Sequence, residues 1–145
     1  MTRARILLAD DHKVMREYLV QLLKRDFEIV GAFADGQATV EAAPGLKPDI
    51  CLLDISMPTL SGIEAARRLN LNRTSAKIIF LSIHEDPDFV QAALATGAKG
   101  YVFKRCMASD LNTAVKEVLA GGTFISSSPR AGSNFPVRKK PRRLI

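Results

Sequence analysis

The sequence predicts an α/β fold: a doubly wound sheet of five parallel strands with helices on both faces. Three observations predict it. Short apolar runs alternate with longer stretches whose apolar residues recur at helical spacing. The short runs are apolar nearly throughout rather than at every second residue, as expected of strands buried on both faces. Charged residues stand where three of those runs end: Asp10-Asp11, Asp54 and Lys104. Regular alternation of this kind implies a parallel sheet with right-handed crossovers.

The elements follow in order. Arg5–Ala9 is a near-continuous apolar strand, and Val14, Met15, Tyr18, Leu19, Leu22 and Leu23 then recur on one helical face. Glu28–Ala34 is the second strand, and Gly36–Ala43 a short helix stopped by Pro44-Gly45. Asp49–Asp54 is the third strand, followed by a helix over Gly62–Leu71 that carries Ile63, Ala66, Leu69 and Asn70. Lys77–Ser82 is the fourth strand. Asp86-Pro87 then reads as an N-cap with proline at the first helical position, opening a helix that stops at Gly97. Gly100–Phe103 is the fifth strand, and Ser109–Ala120 the last helix, with Gly121-Gly122 as its stop.

A chain of 145 residues is sized for one domain with a real core. Its composition, 47% apolar and 25% charged, is that of an ordinary globular protein. No apolar run approaches the ~20 residues of a membrane helix, and the first strand is too short for a signal-peptide core. Cys51 and Cys106 lie far apart without Cys or His at metal-ligand spacing, which suits two reduced thiols in a cytoplasmic protein. The net charge of +6 is unevenly placed: residues 129–145 hold Arg130, Arg138, Lys139, Lys140, Arg142 and Arg143 and no acid, so the rest of the chain is neutral. The folded domain is expected over 3–126, with 127–145 a basic, disordered linker or tail. Such a tail attracts DNA weakly and without sequence preference.

In sheets of this kind ligands sit outside the carboxyl ends of the strands, where the strand order reverses. Asp11, Asp54, Ser82 and Lys104 all end or follow strands, so all four fall on that edge. Three carboxylates gathered there repel one another, and a divalent cation relieves the repulsion. Mg²⁺ is hard, octahedral and keeps several waters, so few protein oxygens suffice. With an ammonium alongside, the set suits a carboxylate that accepts a phosphoryl group.

The segments Leu8-Ala9-Asp10-Asp11-His12, Leu53-Asp54-Ile55-Ser56-Met57-Pro58, Ser61-Gly62, Phe80-Leu81-Ser82 and Gly97-Ala98-Lys99-Gly100-Tyr101-Val102-Phe103-Lys104 stand in this order. Together they make residues 3–126 resemble the receiver domain of bacterial two-component response regulators. Asp10-Asp11-His12 and Gly121-Gly122-Thr123-Phe124-Ile125-Ser126 are most similar to the subfamily whose receivers precede a LuxR-type helix-turn-helix domain. The resemblance implies a flavodoxin-like fold with strand order 2-1-3-4-5 and Asp54 as phosphoacceptor. It implies Mg²⁺ bound directly by Asp11, Asp54 and the Ser56 main-chain carbonyl, with Asp10 acting largely through water. Ser82 and Lys104 then contact the phosphoryl group, and Ser82 and Tyr101 form the switch. Implied partners are a sensor histidine kinase, a second copy on phosphorylation, and DNA through an output domain outside this chain. A receiver acting alone by protein–protein contact is the alternative. No turnover is implied beyond self-phosphorylation and slow hydrolysis.

Arg105 stands where many receivers have proline, which argues against a cis peptide, since a non-proline cis bond costs ~3 kcal/mol. His12 is expected to pack or cap at the start of a helix, and His84 to lie near the mouth of the site. Pro58 and Gly62 are expected to shape the loop after Asp54. Two other functions fit less well. Phosphatases resembling haloacid dehalogenases carry Asp-x-Asp after the first strand, whereas here the acids are adjacent and the nucleophile is on the third strand. A flavin binder of the same fold needs a phosphate-holding loop after the first strand, where Asp10-Asp11-His12 would repel phosphate.

Overall fold

A computed structural model of the chain describes residues 3–127. Within them the order is β1 (Arg5–Ala9), α1 (Lys13–Leu23), β2 (Glu28–Phe33), α2 (Gly36–Leu46), β3 (Ile50–Asp54), α3 (Gly62–Leu71), β4 (Lys77–Ser82), α4 (Pro87–Leu94) and β5 (Gly100–Phe103). A 3₁₀ turn (Lys104–Cys106), α5 (Met107–Leu119) and β6 (Phe124–Ile125) complete it. All pairings are parallel, in the order β2-β1-β3-β4-β5-β6.

The sheet divides two cores. Leu7, Cys51, Leu53, Phe80, Tyr101 and Phe103 face α2, α3 and α4. Their neighbours Ile6, Leu8, Ile50, Leu52, Leu81 and Val102 face α1 and α5. Both sets are buried, which is why the strands read as unbroken apolar runs. From β1 the chain passes to β2 on one side and then to β3 on the other. The strand order therefore reverses between the carboxyl ends of β1 and β3, where Asp10 and Asp54 stand.

The sheet has six strands, not the five expected. Phe124 and Ile125 pair with Gly100 and Tyr101, adding a strand to the edge of β5. Ser126 belongs to the fold as well. Its N–H donates to the Tyr101 carbonyl at 2.9 Å, and its hydroxyl accepts from the Phe103 N–H at 3.1 Å and donates to Asp110 at 2.7 Å. Of the expected tail over 127–145, the part from 128 onward lies outside the described residues.

Pro44 does not stop α2, which runs on to Leu46. A proline in the last turn forfeits only one helical N–H bond. The actual stop is Lys47, which takes the left-handed conformation at φ 52° while its N–H closes on Ala43. The last helix starts at Met107 rather than Ser109, because the 3₁₀ turn after Lys104 leads straight into it. No cis peptide occurs among the described residues.

Gly62 fixes the loop that follows Asp54. Its N–H donates to the Ile55 carbonyl at 2.9 Å, and a Cβ there would lie 2.2 Å from the Asp54 carbonyl oxygen. The two backbones can approach this closely only without a side chain. Gly62→Ala is therefore expected to lower stability by about 1–3 kcal/mol, the usual cost of overpacking. Gly45→Ala, in the last turn of α2 with open space around it, should instead gain up to about 0.5–1 kcal/mol. Urea unfolding of the two variants measures both signs.

Candidate functional site

β1 delivers Asp10 just past its last paired residue. The Asp10 N–H donates to the Phe33 carbonyl at 3.0 Å, and its own carbonyl accepts from Arg16 at 2.8 Å. Its Oδ1 accepts from the His12 N–H at 2.9 Å, which turns the chain into α1. His12 takes the N-cap position there, but its side chain makes no capping bond. Asp54 ends β3, and its Oδ1 accepts from the Ser56 N–H at 3.3 Å. Lys104 follows β5, two strands away from β3. Its long side chain crosses β4 to place the ammonium 3.1 Å from Asp10 Oδ2 and 3.2 Å from Asp54 Oδ2.

Asp10 is 0% and Asp54 4% exposed, so two carboxylates share a nearly dry cleft with one cation. Burial and then the charge of Asp10 push the Asp54 carboxyl above its usual range, against the pull of Lys104 and the Ser56 N–H. Burial lowers the Lys104 ammonium, but the charges of Asp54 and Asp10 outweigh it and the net shift is upward.

Asp10 Oδ2 and Asp11 Oδ1 are shut off from water, with the Lys104 ammonium 3.1 Å from the first and His12 Nδ1 3.2 Å from the second. Asp10, Asp11, His12 and Asp54 each offer a ligand atom within 4.8 Å of the others. Hard carboxylate oxygens in that arrangement fit a hard divalent cation.

Ser82 ends β4 and is buried, and its hydroxyl accepts from the His84 N–H at 3.0 Å. Tyr101, on β5, is fully buried, and its hydroxyl donates to the His84 carbonyl at 2.7 Å. Burial pushes the Tyr101 hydroxyl up to about 12, with the Ser82 hydroxyl acting the other way and Glu85 adding to the rise. The backbone of His84 thus ties Ser82 to Tyr101, while its imidazole stacks on Phe89 at 4.2 Å.

The structure brings Asp10, Asp11, Asp54 and Lys104 together, with Ser56 in the loop next to Asp54. Sequence reasoning missed Arg16, whose link to the Asp10 carbonyl leaves no motif. It also missed the partner of Arg105, which grips Glu85 through two bonds of 2.6 and 2.8 Å. Opposite charges 20 residues apart carry no signal before the β4–α4 and β5–α5 loops are placed side by side.

Comparison with known proteins gives this edge a lineage. A family model described as the response regulator receiver domain matches residues 6–116. The transcriptional regulatory protein DegU of Brevibacillus brevis is 38% identical over 145 residues, covering 99% of this chain and 60% of its own. The nitrate/nitrite response regulator protein NarL of Escherichia coli is 35% identical over 127 residues, covering 86% of this chain and 59% of its own. This chain thus spans about three-fifths of the length of those curated relatives. Among solved structures, the signal receiver domain of the putative response regulator NarL from Mycobacterium tuberculosis superposes with a TM-score of 0.79 at 29% identity, covering 83% of this chain and 99% of that one.

Repulsion within the cleft has a measurable sign. The raised carboxyl of Asp54 means that the folded state holds its proton more tightly than the unfolded state. Stability from this group is therefore present at acid pH and lost as pH rises from 3.8 through the raised value. Asp54→Asn removes that loss. At pH 7 without divalent metal its melting midpoint should exceed the wild type's by a few degrees, the shift expected of about 1 kcal/mol. The gap should close toward pH 4, and calorimetry across that range measures it.

Proposed function

The chain belongs to the response regulator receiver domain family, and from that premise we propose that it accepts a phosphoryl group on Asp54 from a sensor histidine kinase. What supports this most directly is Lys104 held between the carboxylates of Asp10 and Asp54, at 3.1 and 3.2 Å, in a cluster of acids that could hold a metal ion. Relatives named as transcriptional regulators and response regulators point the same way.

Asp11, Asp54 and the Ser56 carbonyl would hold Mg²⁺, with Asp10 acting through water, and the ion would supply charge neutralisation for the incoming phosphoryl group. Asp54 approaches phosphorus in line with the leaving nitrogen. Its carboxylate oxygen forms an O–P bond as the P–N bond to the donor imidazole breaks, and that imidazole keeps the electron pair and takes a proton. Lys104, already at Asp54 Oδ2, pairs with a phosphoryl oxygen as the carboxylate gives up its charge. The surrounding β-sheet edge excludes water, which strengthens each of these contacts.

Ser82 then turns its hydroxyl toward the phosphoryl group and releases the His84 N–H. Tyr101 holds the other side of the same peptide backbone, so the β4–α4 loop is pulled at two points. Tyr101 is buried from the outset, so its response is a change of hydrogen-bond partner and loop position rather than a move out of solvent. A swing from 1:99 to 99:1 needs about 5.5 kcal/mol, within reach of a few charge-assisted bonds of ~1.5–3 kcal/mol each. The output would be a changed α4–β5–α5 face, a homodimer, and control of transcription through a DNA-binding domain outside this chain. The domain turns over no metabolite. No described helix is long and apolar enough to cross a membrane, and a cytoplasmic location suits the kinase partner.

Acetyl phosphate with Mg²⁺ should add one phosphoryl group to the wild type, labile in base and blocked by EDTA, as read by intact-mass spectrometry. Asp54→Asn should take none, and Asp11→Ala should be labelled at least a hundred-fold more slowly. Carbon-13 NMR of the labelled sample should show the Tyr101 ring shifted, and Ser82→Ala should weaken that shift. Full labelling of Asp54→Asn would sink the assignment.

A further inference from the structure

Two loops flank the mouth of the cleft, and each carries one of the side chains proposed to contact the phosphoryl group. Ser82 leads into the loop between β4 and α4, and Lys104 opens the turn between β5 and α5. The residue after Lys104 and the third residue after Ser82 join the two. Arg105 Nε donates to Glu85 Oε2 at 2.6 Å and its Nη2 to Glu85 Oε1 at 2.8 Å, a two-pronged, charge-assisted pair. The two sides of this pair are held differently. Arg105 stands on the turn that leads into α5, whose Leu111, Ala114, Val115 and Val118 are fully buried. The loop on the other side leaves Ile83 70% exposed, so its crest is not held by apolar burial. Polar bonds hold it instead: the His84 N–H on the Ser82 hydroxyl, the Tyr101 hydroxyl on the His84 carbonyl and, next in the chain, Glu85 on Arg105. The stack of the His84 ring on Phe89 joins the loop to the helix that follows it, not to the sheet.

We propose that the Arg105–Glu85 pair is a latch on the β4–α4 loop: it holds the loop in the resting position and sets how readily Ser82 leaves the His84 N–H. The inference rests on Ser82 as the hydroxyl that turns to the phosphoryl group. When that hydroxyl turns away, one anchor of the loop is lost, and displacement of residue 85 must still stretch two short bonds to Arg105. The latch is weak enough to open. Its side chains are 45% and 28% exposed, so water screens the pair, and such pairs favour one geometry by about two- to five-fold. A contact made in one state and lost in the other shifts the equilibrium by its own factor, whereas a contact kept in both shifts nothing. Arg105 thus biases the switch from the residue next to the bridging lysine, without touching Asp54.

Hydrogen exchange of the His84 N–H, read by NMR on the unphosphorylated full chain, tests this. Arg105→Ala and Glu85→Ala each remove one side of the pair and should speed exchange at His84 by about two- to five-fold. The Gly62 N–H, bonded to the Ile55 carbonyl, should exchange as in the wild type, which separates a local release from a loss of global stability. Arg105→Glu combined with Glu85→Arg restores the pair with its charges exchanged and should return His84 to the wild-type rate. Labelling by acetyl phosphate should rise in the single variants by the same factor and fall back in the exchanged pair. The inference is overturned if the single variants leave His84 unchanged, if they speed His84 and Gly62 alike, or if the exchanged pair behaves as the single variants do. It is overturned as well if His84 responds while labelling stays at the wild-type rate, since the pair then holds the loop without setting the switch. If His84 follows the expected pattern but the wild type takes no phosphoryl group, the latch stands and the phosphoacceptor reading fails.

Discussion

Lys104 spans β4 to stand between Asp10 and Asp54, and the carboxyl edge of the sheet depends on that bridge. Two buried carboxylates with no cation between them would each demand a proton or water. One ammonium makes the pair tolerable without satisfying it, because burial and the mutual charge still hold the Asp54 carboxyl up. Removing the ammonium from such a buried set leaves the carboxylates uncompensated, at a typical cost of about 3–5 kcal/mol. The cleft is thus stable enough to fold and still short of positive charge, the condition under which a divalent cation and a phosphoryl group can both be admitted.

The rest of the molecule holds that arrangement in place. The reversal of strand order brings the ends of β1 and β3 together, and unbroken apolar strands let the sheet be buried on both faces around them. Gly62 lets the loop after Asp54 fold back onto the backbone of β3. On the far side, β6 and Ser126 clasp β5 at Tyr101 and Phe103, immediately before Lys104. The residues that precede the end of the described chain are therefore hydrogen-bonded to the strand that carries Tyr101 and leads into Lys104. Ser126 is joined to β5 by two hydrogen bonds, of 2.9 and 3.1 Å, and to α5 by a third, of 2.7 Å.

Much of this was legible in the residues. β1, α3, β4 and β5 begin and end where apolar runs, caps and glycines indicate, because each boundary is marked by a local conflict between burial and charge. The site was legible for the same reason: an acid or a lysine at the end of a buried strand is costly unless it has a use there. What escaped notice depends on tertiary context. β6 has only two residues, too few for any periodicity, and it exists because α5 returns the chain to the edge of β5. Pro44 in α2 was misread because a proline's effect depends on which turn it occupies. His84 was expected only to lie near the mouth of the site, whereas its backbone bonds both Ser82 and Tyr101, which no side-chain chemistry announces. The reach of Lys104 across a strand is a matter of side-chain conformation and leaves no trace in spacing.

The central claim is that the Asp54 carboxyl is held up by burial and by Asp10, and that a divalent cation relieves the strain. Its most direct test is a carbon-13 NMR titration of the Asp54 side-chain carboxyl, with and without saturating Mg²⁺. The midpoint should lie above the ordinary value of 3.8 in the metal-free protein, fall in Asp10→Asn, and fall in the wild type when Mg²⁺ is added. A midpoint at or below 3.8 that responds neither to Asp10→Asn nor to Mg²⁺ would contradict the account.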